Sequence, residues 1–259
     1  MTEQVYVERE GAIATVVLNQ PERRNAMNLA MNQGLKRIMD ECDADADLRC
    51  VVIRGAGGKA FSAGADISEF EQTRSSKEKA KAFAEITHPA MDAVRDCRHP
   101  TIALIEGMCV GGGFGVAALC DFRVCGETSR FGVPVKRLGL VESPDELDMI
   151  VKKFGVNAAL EILVLGELIG AADALRLGLV TRVVPDDQVA DAAYDMAAKI
   201  AEGAPLSARW HKKFIYRKLD PTPLTEAERE EGYDCFDTED FQIGYKAFLA
   251  KEKAKFVGR

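Results

Sequence analysis

The chain has 259 residues and a formal net charge of −7, with 47% hydrophobic and 29% charged side chains. That length supports a sizeable core, as one domain or as a core with a small appendage. The acidic balance argues against broad nucleic-acid binding, and no apolar run reaches the length of a membrane span.

The first residues, MTEQVYVERE, bring acids early and no apolar h-region, so no signal peptide is expected and the cytosol is the expected address. Seven cysteines, an odd number with irregular spacing and no CxxC, predict buried reduced thiols, with neither a disulfide framework nor a zinc knuckle.

In chain order, Val5 to Glu8, the Glu10-Gly11 turn and Ala12 to Leu18 predict a hairpin. Leu35, Ile38, Met39 and Cys42 recur at helical spacing, and Cys50 to Ile53 reads as a short buried strand before a glycine-rich turn. A helix is expected from Asp66, and another segment from Ser76 to Asp96, kinked or split by Pro89. Thr101 to Ile105 is again a short apolar strand, Gly112 to Leu119 a small-residue helix, and Phe122 to Cys125 a strand. This alternation predicts stacked βαβ units. Beyond Pro144 helical patterns dominate, including Glu146 to Phe154 and Asn157 to Leu165, with one strand at Val180 to Val184. No repeat or low-complexity tract interrupts the chain.

Two segments carry the chemistry: Ala60-Phe61-Ser62-Ala63-Gly64-Ala65-Asp66-Ile67, and Gly107-Met108-Cys109-Val110-Gly111-Gly112-Gly113-Phe114-Gly115. Each follows a short apolar strand and opens a helix, which leaves backbone N–H groups free at the positive end of a helix dipole. Small residues let a ligand come close to that backbone. Two such donors converging on one oxygen make an oxyanion hole, worth about 3 kcal/mol per donor in a transition state. The alternative reading of each loop is a plain strand-to-helix turn. The second is neither a GxGxxG dinucleotide fingerprint nor a Walker loop.

FSAGADI, HPTIALIEG, GGGFGVAALCDFRV, RFGVPVKRLGL and AADALRLGLVTRVV resemble, in order and spacing, the signature segments of the crotonase superfamily, that is, the enoyl-CoA hydratase/isomerase family. NQPERRNAMN and FLAKEKAKFVG extend the resemblance to almost the whole chain. The resemblance implies an α/β crotonase (ClpP-like) spiral of ββα units over residues 1–204. A helical trimerisation and lid region would follow over 205–259, in a homotrimer or hexamer. It implies an acyl-CoA thioester substrate and no cofactor beyond that CoA. The oxyanion hole would be the N–H groups of Ala65 and Gly112, with Asp66 capping the following helix. The adenine of CoA would rest near Arg24, Ala26, Ala63 and Ile67. Lysines at the end of the last helix, Lys251, Lys253 and Lys255, would reach the nucleotide or simply form a solvated face.

Hydratases of this family resemble one another in carrying two glutamates that hold and activate water. Here those positions are Gly115 and Val135, which transfer no proton. The stretch LVESPDE (140–146) stands where hydratases show a glycine-rich segment. In dienoyl-CoA isomerases and aryl-CoA dehalogenases of the family an aspartate aligns with Ser143; in naphthoate-forming relatives one aligns with Glu142. Glu142 follows an apolar run, where burial would raise its pKa, and it is the candidate acid–base group. The alternative is a solvated acid complementing the dipole of the helix that starts at Pro144. Ser143 is a candidate cap, and Asp145 and Glu146 fall in the first turn. Glu69 faces either the acyl pocket or solvent. Phe114, Phe131, Val133 and Val135 line the pocket or pack the core.

His88, His99 and His211 show no metal-ligand spacing and are assigned structural or surface roles. Three functions compete: an enoyl-CoA hydratase or isomerase using Glu142, a malonyl-type acyl-CoA decarboxylase that needs no base, and a non-catalytic acyl-CoA- or RNA-binding protein. The ending DTEDFQIGYKAFLAKEKAKFVG is similar to that of methylmalonyl-CoA decarboxylase relatives.

Overall fold

In the computed structural model, which describes residues 3–259, strands β1 (Val5–Glu10) and β2 (Ile13–Leu18) form the expected antiparallel hairpin. Helix α1 (Leu29–Ala44) starts at Asn28, whose side chain accepts from Met31 N, and buries Leu35, Ile38, Met39 and Cys42. Strand β3 (Cys50–Gly55) follows, then β4 (Ala60–Ser62), a 3-10 turn at Ile67–Glu69, α2 (Phe70–Thr73) and α3 (Lys77–Asp96). Of the two outcomes expected at Pro89, a kink or a split, the split does not occur, and α3 runs through the proline. Packing of α3 along α1, with Ala90 and Val94 buried just beyond the proline, outweighs the lost backbone hydrogen bond.

The next repeat is β5 (Thr101–Ile105), β6 (Met108–Val110), α4 (Gly112–Leu119), β7 (Phe122–Gly126) and β8 (Arg130–Gly132). The sequence pattern separates two helical stretches after Pro144. The structure bears this out: α5 (Pro144–Ala159) is two helical stretches that meet at a kink at Gly155 (φ 83°, ψ 164°), and the second is continued by a π-helical turn at Leu160–Leu165. Then come β9 (Ile169–Gly170), α6 (Ala171–Arg176), β10 (Arg182–Val184) and α7 (Val189–Glu202), and finally α8 (Pro205–Arg217), α9 (Glu226–Glu230) and α10 (Glu239–Ala250).

The long strands build a six-stranded sheet in the order β1-β2-β3-β5-β7-β10, parallel except for the opening hairpin. A second sheet of four short strands, β4-β6-β8-β9, was not expected. Strands of two or three residues are too short to show a period of two. This second sheet matters most for function, because β4 and β6 each lead directly into a glycine loop.

The main core lies between the large sheet and the helices α1, α3 and α4, and a smaller one lies under α7. Six cysteines are buried in these layers as free thiols, and Cys235 is half-buried and also free. Burial explains why the pKa values of the six buried thiols rise, as at Cys120, pushed up to about 12. Among the described residues no helix is long and apolar enough to cross a membrane.

Helix α8 is fastened to the core by charge. Lys212 Nζ lies 2.8 Å from the Asp121 carboxylate, with both side chains about nine-tenths buried, and donates to His99 O at 2.9 Å. Arg209 donates to the carbonyls of Ala46 and Leu48. The tail folds back on α10, where Asp240 accepts from the backbone N–H groups of Val257 and Gly258.

Candidate active site

The segment 24–27 runs alongside 63–66. Ala63 N donates to Arg24 O (2.9 Å), Met27 N to Gly64 O (2.7 Å), and Asp66 N to Met27 O (3.0 Å). That pairing skips the N–H of Ala65. On the other side, β6 delivers Gly111 and the first turn of α4 against the same loop. Gly64 takes φ 96°, and a Cβ there would stand 2.9 Å from Val110 O, so only glycine lets the two backbones touch. A Cβ placed on Gly112 would stand 3.9 Å from Ala65 N. Gly112 opens α4, where helix geometry leaves its N–H unpaired and at the positive end of the dipole. Among the described residues neither the Ala65 nor the Gly112 N–H has an acceptor.

A cavity of about 370 Å³ opens beside these amides. Gly112, Phe114, Gly115 and Val133 form part of its wall, and Glu142 and Glu146 face it from the start of α5. Ala65 is not a wall residue; it adjoins the cavity through Gly112. A Cβ at Gly115 would meet nothing nearer than Met91 Cε at 4.0 Å, so the place of the missing family glutamate is open space. Val135 and Phe131 belong to the core instead. A larger cavity, about 670 Å³ between α3, α5 and α8, contains neither glycine loop.

Glu142 is half-buried. Burial, reinforced by the negative charge of Glu146, pushes its carboxyl up to about 7, and Arg74 opposes the shift only in part. Ser143 is the N-cap of α5, as expected. Its Oγ accepts from Glu146 N at 3.3 Å, and the Glu146 carboxylate accepts from Ser143 N at 2.9 Å, a complete capping box. Glu146 is therefore anchored, and Glu142 stands just outside the cap, where its interaction with the Glu146 carboxyl helps to raise its pKa. Arg74 was not singled out from the sequence. Its guanidinium lies 4.7 Å from the centre of the Phe70 ring and 4.3 Å from that of Phe83, which hold it near the two glutamates. No sequence signal marks it, because Phe70 and Phe83 come from different helices.

Asp66 caps the turn it precedes, accepting from Ser68 N at 3.0 Å, and pairs with Arg23 at 2.6 Å. Glu69 faces neither pocket nor solvent alone; its carboxylate accepts from Leu29 N, fixing the start of α1. Arg24, Ala26 and Ala63 lie in the paired strip just described, and Ile67 follows one residue beyond it with its side chain exposed. Arg24 and Asn25 are consecutive residues with left-handed φ of 52° and 54°. Fully buried Asn25 holds this loop in place, donating to Ala56 O and Ala60 O and accepting from Gln20 N. Lys251 ends α10 with its backbone N–H on Phe248 O, and no contact brings it to that strip. Lys253 pairs with Glu202 at 2.9 Å.

His88 lines the cavity, His99 is fully buried, and His211 is exposed. Burial pushes His99 down to about 4. Among the described residues no three His, Cys, Asp or Glu groups cluster as a metal site.

Repeated strand–loop–helix units, two glycine loops meeting back to back and a helical C-terminal region define a crotonase-type α/β fold. The sequence profile of the enoyl-CoA hydratase/isomerase family matches residues 8–259, and the chain belongs to that family. It is 31% identical over 251 residues to a short-chain-enoyl-CoA hydratase of Clostridium acetobutylicum, covering 96% of this chain and 95% of the relative. It is 33% identical over 260 residues to a probable enoyl-CoA hydratase of Rhizobium meliloti, covering 99% of each. The crystal structure of an enoyl-CoA hydratase/carnithine racemase from Magnetospirillum magneticum superposes with a TM-score of 0.98. That match has 45% identity and covers 100% of this chain and 97% of the other.

Proposed function

We propose that this chain hydrates or isomerises an enoyl-CoA, with Ala65 and Gly112 as oxyanion donors and Glu142 as the sole acid–base group. The observation that carries the reading is that Gly112 and a glutamate raised to about 7 share one cavity. The thioester oxygen takes negative charge between the two amides as the enolate forms. In hydration Glu142 removes a proton from water as its oxygen bonds to C3, then delivers that proton to C2. In isomerisation it removes the C2 proton of a 3-enoyl thioester and returns it at C4. A pKa near neutrality suits a group that must both take and give.

Decarboxylation of a malonyl-type thioester is less well supported, since Glu142, Asp145, Glu146 and Asp148 around the cavity repel a second carboxylate. CoA would lie along Arg24, Ala26, Ala63 and Ile67, with Lys251 reaching it from the end of α10. The division into a core of 1–204 and a helical region of 205–259 belongs to the same proposal, as does a homotrimer or hexamer. The exposed apolar side chains Phe236, Phe248 and Leu249 support assembly through the helical region.

A panel of enoyl-, hydroxyacyl- and malonyl-type thioesters, followed by mass, tests the reaction. Water addition or double-bond migration is expected with enoyl thioesters. Carbon dioxide loss alone would overturn the reading.

A further inference from the structure

Helix α5 carries Glu142 just before its cap, while α4 carries the Gly112 amide at its start. What holds the two helices in register lies at the far end of both. Lys153 Nζ, on α5, donates to Cys120 O at 2.5 Å and reaches Leu119 O at 3.4 Å, the last carbonyls of α4. Arg123 donates to the same Cys120 oxygen at 2.6 Å and to Leu179 O at 2.7 Å. Phe154, the next residue of α5, packs 6.1 Å from the ring of Phe114 and lies under the Arg123 guanidinium at 5.3 Å. Ile150, one turn earlier, is buried and lines the cavity. Immediately beyond, Gly155 breaks the helix. The stretch from Pro144 to Phe154 is thus a short rod fixed at both ends, by the Ser143–Glu146 capping box at one and by Lys153 at the other.

We infer that Lys153 is a positioning residue: its ammonium, seated on the carbonyl end of α4, sets where Glu142 stands relative to the oxyanion amides. Two cations at the negative end of α4 also favour the dipole whose positive end presents Gly112. Lys153 touches no substrate in this scheme and does not line the cavity. Its burial, which pushes its pKa down to about 8, is tolerated because the two carbonyls solvate the charge. The inference rests on Glu142 being the acid–base group.

The test compares Lys153→Met, which keeps the stem and removes the donor, with Lys153→Arg, which keeps both charge and donor, on an enoyl-CoA substrate. The expected result is a kcat loss of roughly tenfold to a hundredfold in Lys153→Met, the size that small misplacements of a reacting group produce. KM should stay within about twofold, and Lys153→Arg should recover most of kcat. Deuterium exchange at C2 of a saturated acyl-CoA should fall in parallel. A folded Lys153→Met with native kcat overturns the inference, as does an equal loss in Lys153→Arg. If Lys153→Met does not fold, Lys153→Gln is measured in its place, and failure of both to fold reduces Lys153 to a folding residue and also overturns it. Glu142→Gln separates the two readings. If it is inactive while Lys153→Met is native-like, only the positioning role falls; if it retains native turnover, the base assignment itself falls.

Discussion

The side-chain amide of Asn25 donates to the carbonyl of Ala60 at 2.8 Å, tying the left-handed loop to the strand that enters the first glycine loop. Asn25 is fully buried, and its three bonds reach Gln20, Ala56 and Ala60. Replacing it with alanine strips buried backbone groups of their partners, at about 1–3 kcal/mol for such a group. Asn25→Ala should lower the denaturation midpoint by a corresponding amount. It should also raise KM for acyl-CoA, because Arg24 and Ala26 flank it. An unchanged KM in the folded variant would separate this loop from CoA.

Ala65→Pro removes one of the two free amides. Turnover should drop roughly a hundredfold or more, the scale found when an oxyanion donor is deleted. Binding of a saturated acyl-CoA, followed by calorimetry, should change far less. Native turnover in a folded variant would remove Ala65 from the site.

Glu142 gives a pH signature. Its carboxyl is raised to about 7 by burial and by Glu146, so the form that takes a proton is depleted below that pH. Turnover of an enoyl thioester should therefore rise as pH climbs through about 7, and Glu142→Gln should be inactive across the range.

The same shift has a thermodynamic face. A carboxyl whose folded pKa lies above its unfolded value costs stability as pH rises from the unfolded value to the folded one. Glu142→Gln, which carries no charge, should melt higher than the native chain at pH 8, with the gap closing as pH falls below about 4.5, where the native group becomes protonated in both states. A variant that melts lower at pH 8 would contradict the burial of charge at this position.

Lys212 and Asp121 form a buried ion pair between α8 and the core. Breaking it from one side leaves a charge without compensation, typically about 3–5 kcal/mol. Lys212→Met should lose stability on that scale. The double variant with Asp121→Leu should recover part of it, as a denaturation cycle would measure.

The long sheet was legible in the sequence because five of its six strands run five or six residues and several are apolar runs, as at Thr101–Ile105. The second glycine loop was legible because a free amide at a helix start follows from chain order alone. The first opens only a 3-10 turn at Ile67–Glu69 in place of the helix expected from Asp66, and the Ala65 N–H is free because the pairing with segment 24–27 skips it. Gly115 and Val135 in place of the two glutamates could also be read directly, and the open space at Gly115 agrees with that reading. Other features depend on distance in space. Arg74 between Phe70 and Phe83, Lys153 on Cys120 O, and Glu69 on Leu29 N join segments whose spacing carries no pattern. The second sheet escaped for a different reason. Its strands are held by their neighbours, and no local preference of two or three residues could announce them.

Between Gly64 and Val110 the two loops leave no room for a side chain. In a library randomised one position at a time, residue 64 would therefore return only its starting amino acid, and the floor of the site would look immutable. Diversity at this crossing is reachable only by moving both loops together, which makes it a poor place to redirect the enzyme by stepwise selection. The open wall at Gly115, where a new side chain finds space, is the more promising starting point.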